Sequence, residues 1–195
     1  MKLPEPRTSS DRPLETVIAE RRSTRSYKNG PLTLNEVSQL LWAAQGITST
    51  NKLRAAPSAG GTFPLNTYLV AGDVVGLEPG LYRYDNESNE ISTVRSGDLR
   101  EELSELALGQ SCVKDAAAIL IFTAVHERTT SVYGDRGTMY VHIDVGHAAE
   151  NVLLQSTALG LGSVPVGAFR TRSVSAALQC EDGEIALYMV PTGRL

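Results

Sequence analysis

The segment that most constrains the fold is residues 138–159, the longest stretch of helical periodicity in the chain. Its apolar side chains recur at helical spacing, but they cover more than one narrow stripe. These positions include Val141, Val145, Ala149, Val152 and Leu153. A helix that is apolar on several sides needs cover on several sides, so we expect it to pack against a sheet and a second subunit. Gly146, Ala148 and Ala149 are small enough to let a partner approach closely.

The rest of the chain alternates between helical and strand patterns. The predicted helices are residues 14–22, 33–45, a segment that begins at Asp98, and 173–178. The predicted strands are residues 66–72, a hairpin of 80–85 with 90–94, the continuous apolar run 116–125, and 184–190. Thr33 and Glu36 have the spacing of a capping box. We predict an N-terminal arm over residues 1–12, or a disordered start, and one domain over 13–195.

Composition argues against several classes of protein. The chain has 195 residues and a formal net charge of −4, and it lacks the broad basic face of a nucleic-acid binder. Its longest apolar run, residues 116–125, is too short to cross a bilayer. The sequence shows no secretory signal pattern, so we expect a cytoplasmic protein. Cys112 and Cys180 lie far apart without metal or redox spacing, which indicates free thiols.

A basic cluster follows the first predicted helix. Leu14, Val17 and Ile18 recur at helical spacing, and the next step of that spacing falls on Arg21. A guanidinium on a core-facing stripe needs an anion, and the adjacent Arg22, Ser23 and Arg25 add donors that suit phosphate. A solvated basic end of a helix explains the same residues equally well.

Two glycine-containing loops are candidates for binding a cofactor. Residues 56–61 offer the Ser58 hydroxyl and backbone N–H groups, although an ordinary tight loop would have the same composition. Residues 160–167 follow a helix, whereas a dinucleotide fingerprint follows a strand, so we reject a Rossmann fold. The three histidines have poor metal-ligand spacing, and we expect Asp144 to contact His147 or a second subunit. Without a nucleophile motif, the chemistry would come from a cofactor.

These segments occur together and in order over nearly the whole chain: the basic Arg-Ser cluster, the Pro-Ser-Ala-Gly loop, the Gly-Leu-Gly helix exit and a C-terminal Thr-Gly-Arg. In this the sequence resembles the nitroreductase family of FMN-dependent oxidoreductases. Residues 80–84, 133–137 and 144–147 most resemble the branch with the thiazoline/oxazoline dehydrogenases. The resemblance implies an α+β fold with a mainly antiparallel sheet surrounded by helices, in an intertwined homodimer that shares two FMN sites.

The resemblance also implies roles for individual residues. In the family, residues at the positions of Arg21, Arg22, Ser23 and Arg25 hold the FMN phosphate, ribityl chain and pyrimidine edge, and Arg194 reaches the phosphate. The partner subunit contributes the loop that corresponds to Pro57, Ser58, Ala59 and Gly60. Pro165, Val166 and Gly167 correspond to the turn near the reactive edge of the flavin. Tyr133 is the candidate proton donor, with His126 as a second choice.

The implied activity is ping-pong hydride transfer from NAD(P)H to a nitroaromatic, a quinone or another small acceptor. Several positions depart from the family pattern. Gly61 and Phe63 replace amide side chains, Val166 replaces an acid, and Val132 precedes Tyr133 where azoline dehydrogenases have lysine. We therefore do not expect azoline oxidation, and we expect an open pocket over the flavin. A flavin-sequestering or sensing protein with little turnover is the alternative, and a structural dimer without a cofactor is a third reading.

Overall fold

A six-stranded sheet forms the centre of the protein in a computed structural model that describes all 195 residues. Along the chain, the elements are α1 (Leu14–Glu20), β1 (Leu32–Thr33), α2 (Leu34–Gln45), β2 (Leu65–Ala71), β3 (Val74–Val75), β4 (Gly80–Asp85), β5 (Glu90–Ser96), α3 (Arg100–Leu106), α4 (Ser111–Lys114), β6 (Ala118–Val125), α5 (Glu127–Tyr133), α6 (Arg136–Ala158), β7 (Leu161–Ser163), α7 (Thr171–Ala177) and β8 (Glu184–Arg194). A short 3-10 turn, Ala59–Gly61, precedes β2.

The sheet has the order β5-β4-β2-β6-β8-β7, and every neighbouring pair in it is antiparallel. The central strand β6 is buried along nearly its whole length, which explains its continuous apolar sequence. The separate strands β1 and β3 form a small parallel pair. The predicted α+β class with a mainly antiparallel sheet is confirmed.

Two apolar cores cover the two faces of this sheet. One core joins the sheet to α2 and α6 and contains Leu40, Phe122 and Val152. The other core packs α3, α4 and α7 on the opposite face and contains Leu103, Ile119 and Val174. Alternate residues of β6 therefore point into different cores, as the two-residue period of a strand requires.

Several element boundaries agree with the sequence. The Thr33 hydroxyl accepts from the Glu36 N–H at 3.3 Å, and the Glu36 carboxylate accepts from the Thr33 N–H at 2.7 Å, so the predicted capping box starts α2. The strand predictions at 66–72, 80–85 and 116–125 match β2, β4 and β6 within two residues. The sequence patterns did not predict α4, α5, β7 or the small β1–β3 pair.

The prediction that the α1 stripe faces the core is wrong. Val17 is buried, but Leu14 is 60% exposed and Ile18 is 56% exposed. The helix ends at Glu20, and Arg21 has extended geometry after it. Arg21 therefore follows the helix at a partly exposed position, and its charge does not enter the apolar core.

The face of α6 that we assigned to a second subunit also needs correction. Ala148 and Ala149 are buried in the core of their own chain, with Ala149 only 2% exposed. The outward face instead carries Met139, Ile143 and Gly146, and a Cβ on Gly146 would meet no atom within 4 Å. Any contact of α6 with a partner must therefore use this outward face.

Residues 1–12 run across the molecule as an ordered arm. The Ile91 N–H donates to the Met1 carbonyl at 2.9 Å, which adds the arm to the edge of β5, and Leu3 is buried. The arm then crosses α2, where the Ser38 hydroxyl donates to the Pro4 carbonyl at 2.6 Å. None of the helices combines the length and apolar character that a membrane span needs.

Candidate functional site

The basic cluster lies along the edge of the sheet beside β7. The Thr24 N–H donates to the Ser163 carbonyl at 2.9 Å, and the Lys28 N–H donates to the Arg194 carbonyl at 3.0 Å. Two glycines make this approach possible. A Cβ on Gly162 would lie 2.8 Å from the Thr24 methyl carbon, and one on Gly193 would lie 2.6 Å from the Tyr27 ring. Residues 24–28 therefore follow the ends of β7 and β8 at contact distance.

Arg21 has unused donors at this edge. Its Nε lies 3.7 Å from the Glu150 carboxylate on α6, and the side chain is about one third exposed. No hydrogen bond of its guanidinium satisfies the usual distance and angle criteria, so its N–H groups can still bind an anion.

The other three residues of the cluster differ in how free their donors are. Arg22 folds back onto α1, and its Nη1 donates to the carbonyls of Ala19 at 2.9 Å and Arg21 at 2.7 Å. Ser23 and Arg25 are exposed, and their side chains make no hydrogen bond within the chain. Arg22 thus stabilises the end of the helix, while Ser23 and Arg25 keep their donors for another molecule.

Arg194 is held by a bidentate ion pair with Glu36. Its Nη1 and Nη2 lie 2.7 and 2.8 Å from the two carboxylate oxygens, and Nε and Nη2 also donate to the Pro31 carbonyl. These contacts leave one of the five guanidinium N–H groups unused. Burial alone would raise the pKa of Glu36, but hydrogen bonds from Arg194 and Thr33 outweigh burial and hold this pKa below its usual value.

The Ser58 loop is fixed by a buried carboxylate. Asp144, on α6 and 3% exposed, accepts from the Ser58 hydroxyl at 2.6 Å and from the Ala59 N–H at 3.3 Å. The Ser58 oxygen in turn accepts from the Phe63 N–H at 3.0 Å. Asp144 therefore contacts the loop rather than His147. A carboxylate among the apolar residues of a core helix is the sequence signal that points to such a buried contact.

Tyr133 lies directly against the same loop. A Cβ on Gly60 would collide with the Tyr133 hydroxyl and lie 3.1 Å from its Cζ, and Gly60 has a φ of 58°. The Tyr133 ring meets Tyr140 edge to face at a centroid distance of 5.1 Å. Glycine is thus required at position 60 for two reasons, its backbone angle and the approach of Tyr133.

A cavity of about 370 Å³ lies beside this loop, lined by Pro57, Ser58, Ala59, Tyr140, Ile143, Asp144 and His147. The cavity opens on the outward face of α6, which carries Ile143. The Ser58 loop and α6 therefore form one side of an open cavity.

The turn after β7 is tied to the last strand. The Val166 N–H donates to the Met189 carbonyl at 2.8 Å and its carbonyl accepts from the Met189 N–H at 3.0 Å. The Val166 side chain is buried in the core that contains α3 and α7. Pro165 and Gly167 flank it, and Gly167 is exposed. Gly167 is therefore the part of this turn that can face a ligand.

The remaining titratable candidates are poorly suited to acid catalysis or nucleophilic attack. Burial and the neighbouring His142, whose ring centroid lies 5.7 Å away, lower the pKa of His126, so this residue is a poor proton donor at neutral pH. Burial raises the pKa of Cys112, and burial with the nearby Glu184 raises that of Cys180 to about 12. No three metal-ligating side chains converge.

The predicted residues form two groups on different sides of α6. The Ser58 loop contacts Asp144, and Arg21 contacts Glu150, six residues later. Six helical residues correspond to about 9 Å along the axis and about 120° around it. One chain therefore presents the basic edge and the Ser58 loop in different directions.

Comparison with known proteins agrees with this architecture. A model of the nitroreductase family matches residues 18–194. A protein of Methanocaldococcus jannaschii, provisionally named a nitroreductase, is 45% identical over 181 residues, which cover 93% of this chain and 90% of that protein. The FMN reductase [NAD(P)H] of Bacillus subtilis is 23% identical over 165 residues, covering 78% of this chain but only 53% of that enzyme.

A solved structure shows the same fold. It is a provisionally named nitroreductase from Ralstonia eutropha, with a TM-score of 0.86 and 30% identity, and the match covers 99% of this chain and 88% of that one. The family predicted from the order of the motifs is confirmed.

Proposed function

The chain belongs to the nitroreductase family, and on that basis we propose that it is an FMN-dependent oxidoreductase that transfers hydride from NAD(P)H to a small acceptor such as a nitroaromatic or a quinone. The observation that carries the proposal is the row of unused donors along the β7 edge. Arg21, Ser23 and Arg25 offer guanidinium and hydroxyl groups that make no hydrogen bond within the chain, although Arg21 lies near Glu150, and such donors suit a terminal phosphate. The name of the Bacillus subtilis relative supports the choice of FMN and NAD(P)H.

The residues present fit a flavin mononucleotide. Arg21 and Arg25 would bind the phosphate, Ser23 would donate to the ribityl chain, and Arg194 would add its one unused N–H. Gly167 would leave room for the ring beside the turn after β7. When bound, the flavin supplies the hydride chemistry, and the protein binds, orients and shields it.

We propose a homodimer as the second part of this function. The basic edge and the Ser58 loop point in different directions in one chain, so a second copy must bring its own Ser58 loop to each basic edge. The outward face of α6 offers Met139, Ile143 and Gly146 for the contact, and α1 exposes Ile18. Joining these faces would remove apolar area from water, which favours association.

The location of Tyr133 beside the Ser58 loop supports a role as proton donor in this arrangement. It packs on Gly60 of the Ser58 loop and on Tyr140, and Tyr140 lines the open cavity beside that loop. Its hydroxyl makes no hydrogen bond within the chain, whereas the Ser58 hydroxyl donates to Asp144 and the Thr62 hydroxyl donates to the Ala59 carbonyl. Tyr133 is thus the candidate to deliver a proton to the reduced acceptor.

The test has two steps. Purified protein should be yellow, and the flavin released on denaturation should elute as FMN in chromatography. The protein should then oxidise NADH or NADPH in steady state when menadione or a nitroaromatic is added. Release of FAD, or no flavin after reconstitution, would contradict the cofactor assignment.

Val166 favours a second candidate, a flavin-binding protein that sequesters or senses FMN with little turnover. At the position where the family usually has an acid, this side chain is apolar and buried, and its N–H is bound to Met189. If the protein binds FMN but oxidises neither NADH nor NADPH with any acceptor tested, this candidate is supported and the proposed enzymatic function is contradicted.

A further inference from the structure

A second cavity lies between the N-terminal arm and the helices, apart from the basic edge. It measures about 450 Å³, is open to solvent on one side, and is bordered by residues 7–12, α1, α2 and α6. This volume lies within the usual range for small-molecule sites. None of Arg21, Arg22, Ser23 and Arg25 lines it, so the proposed flavin site does not account for it.

The wall of this cavity is rigidly built. The amide of Gln39, a buried side chain of α2, accepts from the Arg7 N–H at 2.8 Å and donates to the Arg7 carbonyl at 3.0 Å. The same amide donates to the Gln155 Oε1 at 3.2 Å, and Asn151 donates to the Ala43 carbonyl at 3.1 Å. These bonds hold the arm, α2 and α6 in one arrangement, so the cavity is preformed.

The lining carries positive charge without any acid. Arg7 and Arg12 are its charged residues, and no aspartate or glutamate lines the cavity. Arg12 is paired with Glu20, which lies outside the lining. The Arg7 guanidinium has no hydrogen-bond or ion-pair partner in the chain and can therefore bind an anion.

The polar groups left over in the cavity are mainly donors. The Trp42 indole N–H, the Gln155 amide N–H groups and the Thr8 hydroxyl make no hydrogen bond within the chain, although all three side chains line the cavity. Apolar surface lies beside them, from Val17, Ala43 and Leu154. A ligand that matches this lining has a flat apolar body and an acceptor-rich anionic end.

We propose that this cavity binds a small aromatic carboxylate, with its ring against Trp42 and its carboxylate at Arg7 and Gln155. The proposal goes beyond the oxidoreductase function, because the site is formed by one chain and does not require a flavin. The site also borders α1, whose end carries Arg21, and α2, whose Glu36 holds Arg194. Val17 and Gln39 of the lining are about one helical turn from Arg21 and from Glu36, respectively.

Binding in this cavity can be measured by tryptophan fluorescence, because Trp42 is the only tryptophan in the 195-residue chain. Benzoate is the probe, titrated into the protein as purified while the tryptophan emission is recorded. We expect a saturable change with a Kd between about 1 μM and 1 mM. Benzyl alcohol, which has the ring without the charge, should bind at least roughly tenfold more weakly.

Variants of the lining residues test whether benzoate binds in this cavity. Arg7→Gln and Gln155→Leu should each raise the benzoate Kd by roughly tenfold or more, since each removes a donor to a charged group. Arg172→Gln is the matched control, because Arg172 is exposed on α7 and lies outside the cavity. Its Kd should equal that of the wild type.

Three results would overturn the proposal. The first is no saturable change in emission, or one that Arg7→Gln leaves intact. The second is a change in the visible flavin spectrum alone, which would place benzoate at the flavin. The third is protection of Trp42 from acrylamide quenching without benzoate, which would show that a second copy of the chain fills the cavity. A colourless protein that binds benzoate as expected would reject the flavin function and retain this site.

Discussion

The hydroxyl of Ser58 donates its only proton to the carboxylate of Asp144, at 2.6 Å across 86 residues of sequence. Its oxygen already accepts from the Phe63 N–H. Ser58 therefore stabilises its own loop, and its hydroxyl cannot also donate a hydrogen bond to a cofactor. In the shared site, the loop would offer the Gly60 N–H, which makes no hydrogen bond within the chain.

Asp144→Ala should destabilise the fold by about 2–3 kcal/mol, because the Ser58 hydroxyl and the Ala59 N–H lose their acceptor. Urea unfolding followed by circular dichroism measures this. The exposed Asp182→Ala is the control and should change stability by less than about 0.5 kcal/mol. In a double-mutant cycle with Ser58→Ala the two losses should not add, and strict additivity would show that the two residues do not interact.

Gly60→Ala should cost about 1–2 kcal/mol from its positive φ alone, and more from the collision with Tyr133. Adding Tyr133→Phe removes the hydroxyl that collides, so the double variant should regain part of the lost stability. Thermal unfolding of the four proteins checks this. Equal stability of Gly60→Ala with and without the tyrosine hydroxyl would show that this contact is absent.

Arg21→Ala should weaken FMN binding by about 1.5–3 kcal/mol, the range for hydrogen bonds to charged groups. Arg21→Lys should also weaken it, because the fork geometry is lost. Arg194→Ala should have a smaller direct effect, since four of its five N–H groups are bound within the chain. Fluorescence titration of the apoprotein measures all three, with Arg172→Ala as the control. Unchanged affinity in Arg21→Ala would reject its phosphate role.

The Glu36–Arg194 pair should make stability depend on pH in the acid range. The folded-state pKa of Glu36 is lowered, so its contribution is complete above the ordinary value of 4.5 and is lost as the pH falls through the folded value. The unfolding free energy of Glu36→Gln should therefore fall less steeply below pH 4.5 than that of the wild type. Parallel curves for the two proteins would contradict the assignment.

Ile143→Glu should dissociate the proposed dimer, because it places a charge on the outward face of α6. Ile185→Glu is the matched control, since Ile185 is similarly exposed but lies on β8. Size-exclusion chromatography with light scattering, read with flavin absorbance, should show loss of dimer and flavin together in the first variant only. A wild-type monomer with stoichiometric FMN would refute the shared site.

Local patterns predicted local structure well in this chain. The capping box of Thr33 and Glu36 joins residues three apart, and its geometry is as the sequence indicated. The seven-residue α5 was missed because it contains β-branched residues such as Thr129 and Thr130, which lower helix propensity. At three residues, β7 is too short for periodicity to reveal.

Long-range relationships were harder to predict, for a physical reason. Periodicity gives the faces of a helix but not what covers each face, so α1 was assigned to the core and Ala149 to a partner. The contact of Asp144 with Ser58 and that of Glu36 with Arg194 depend on tertiary folding. The capping role of Glu36 was visible in the sequence, whereas its second role was not.

The position of β8 in the sheet also determines which parts of the fold can form before this strand is synthesised. Strand β8 is synthesised after both of its neighbours in the sheet, β6 and β7, and lies between them in the interior of the sheet. Until β8 emerges from the ribosome, β6 has an open edge and β7 has no strand to pair with, so the basic edge beside β7 cannot form. Such exposed strands favour aggregation, so nascent chains that stall before residue 184 should depend on chaperones far more than chains that include β8.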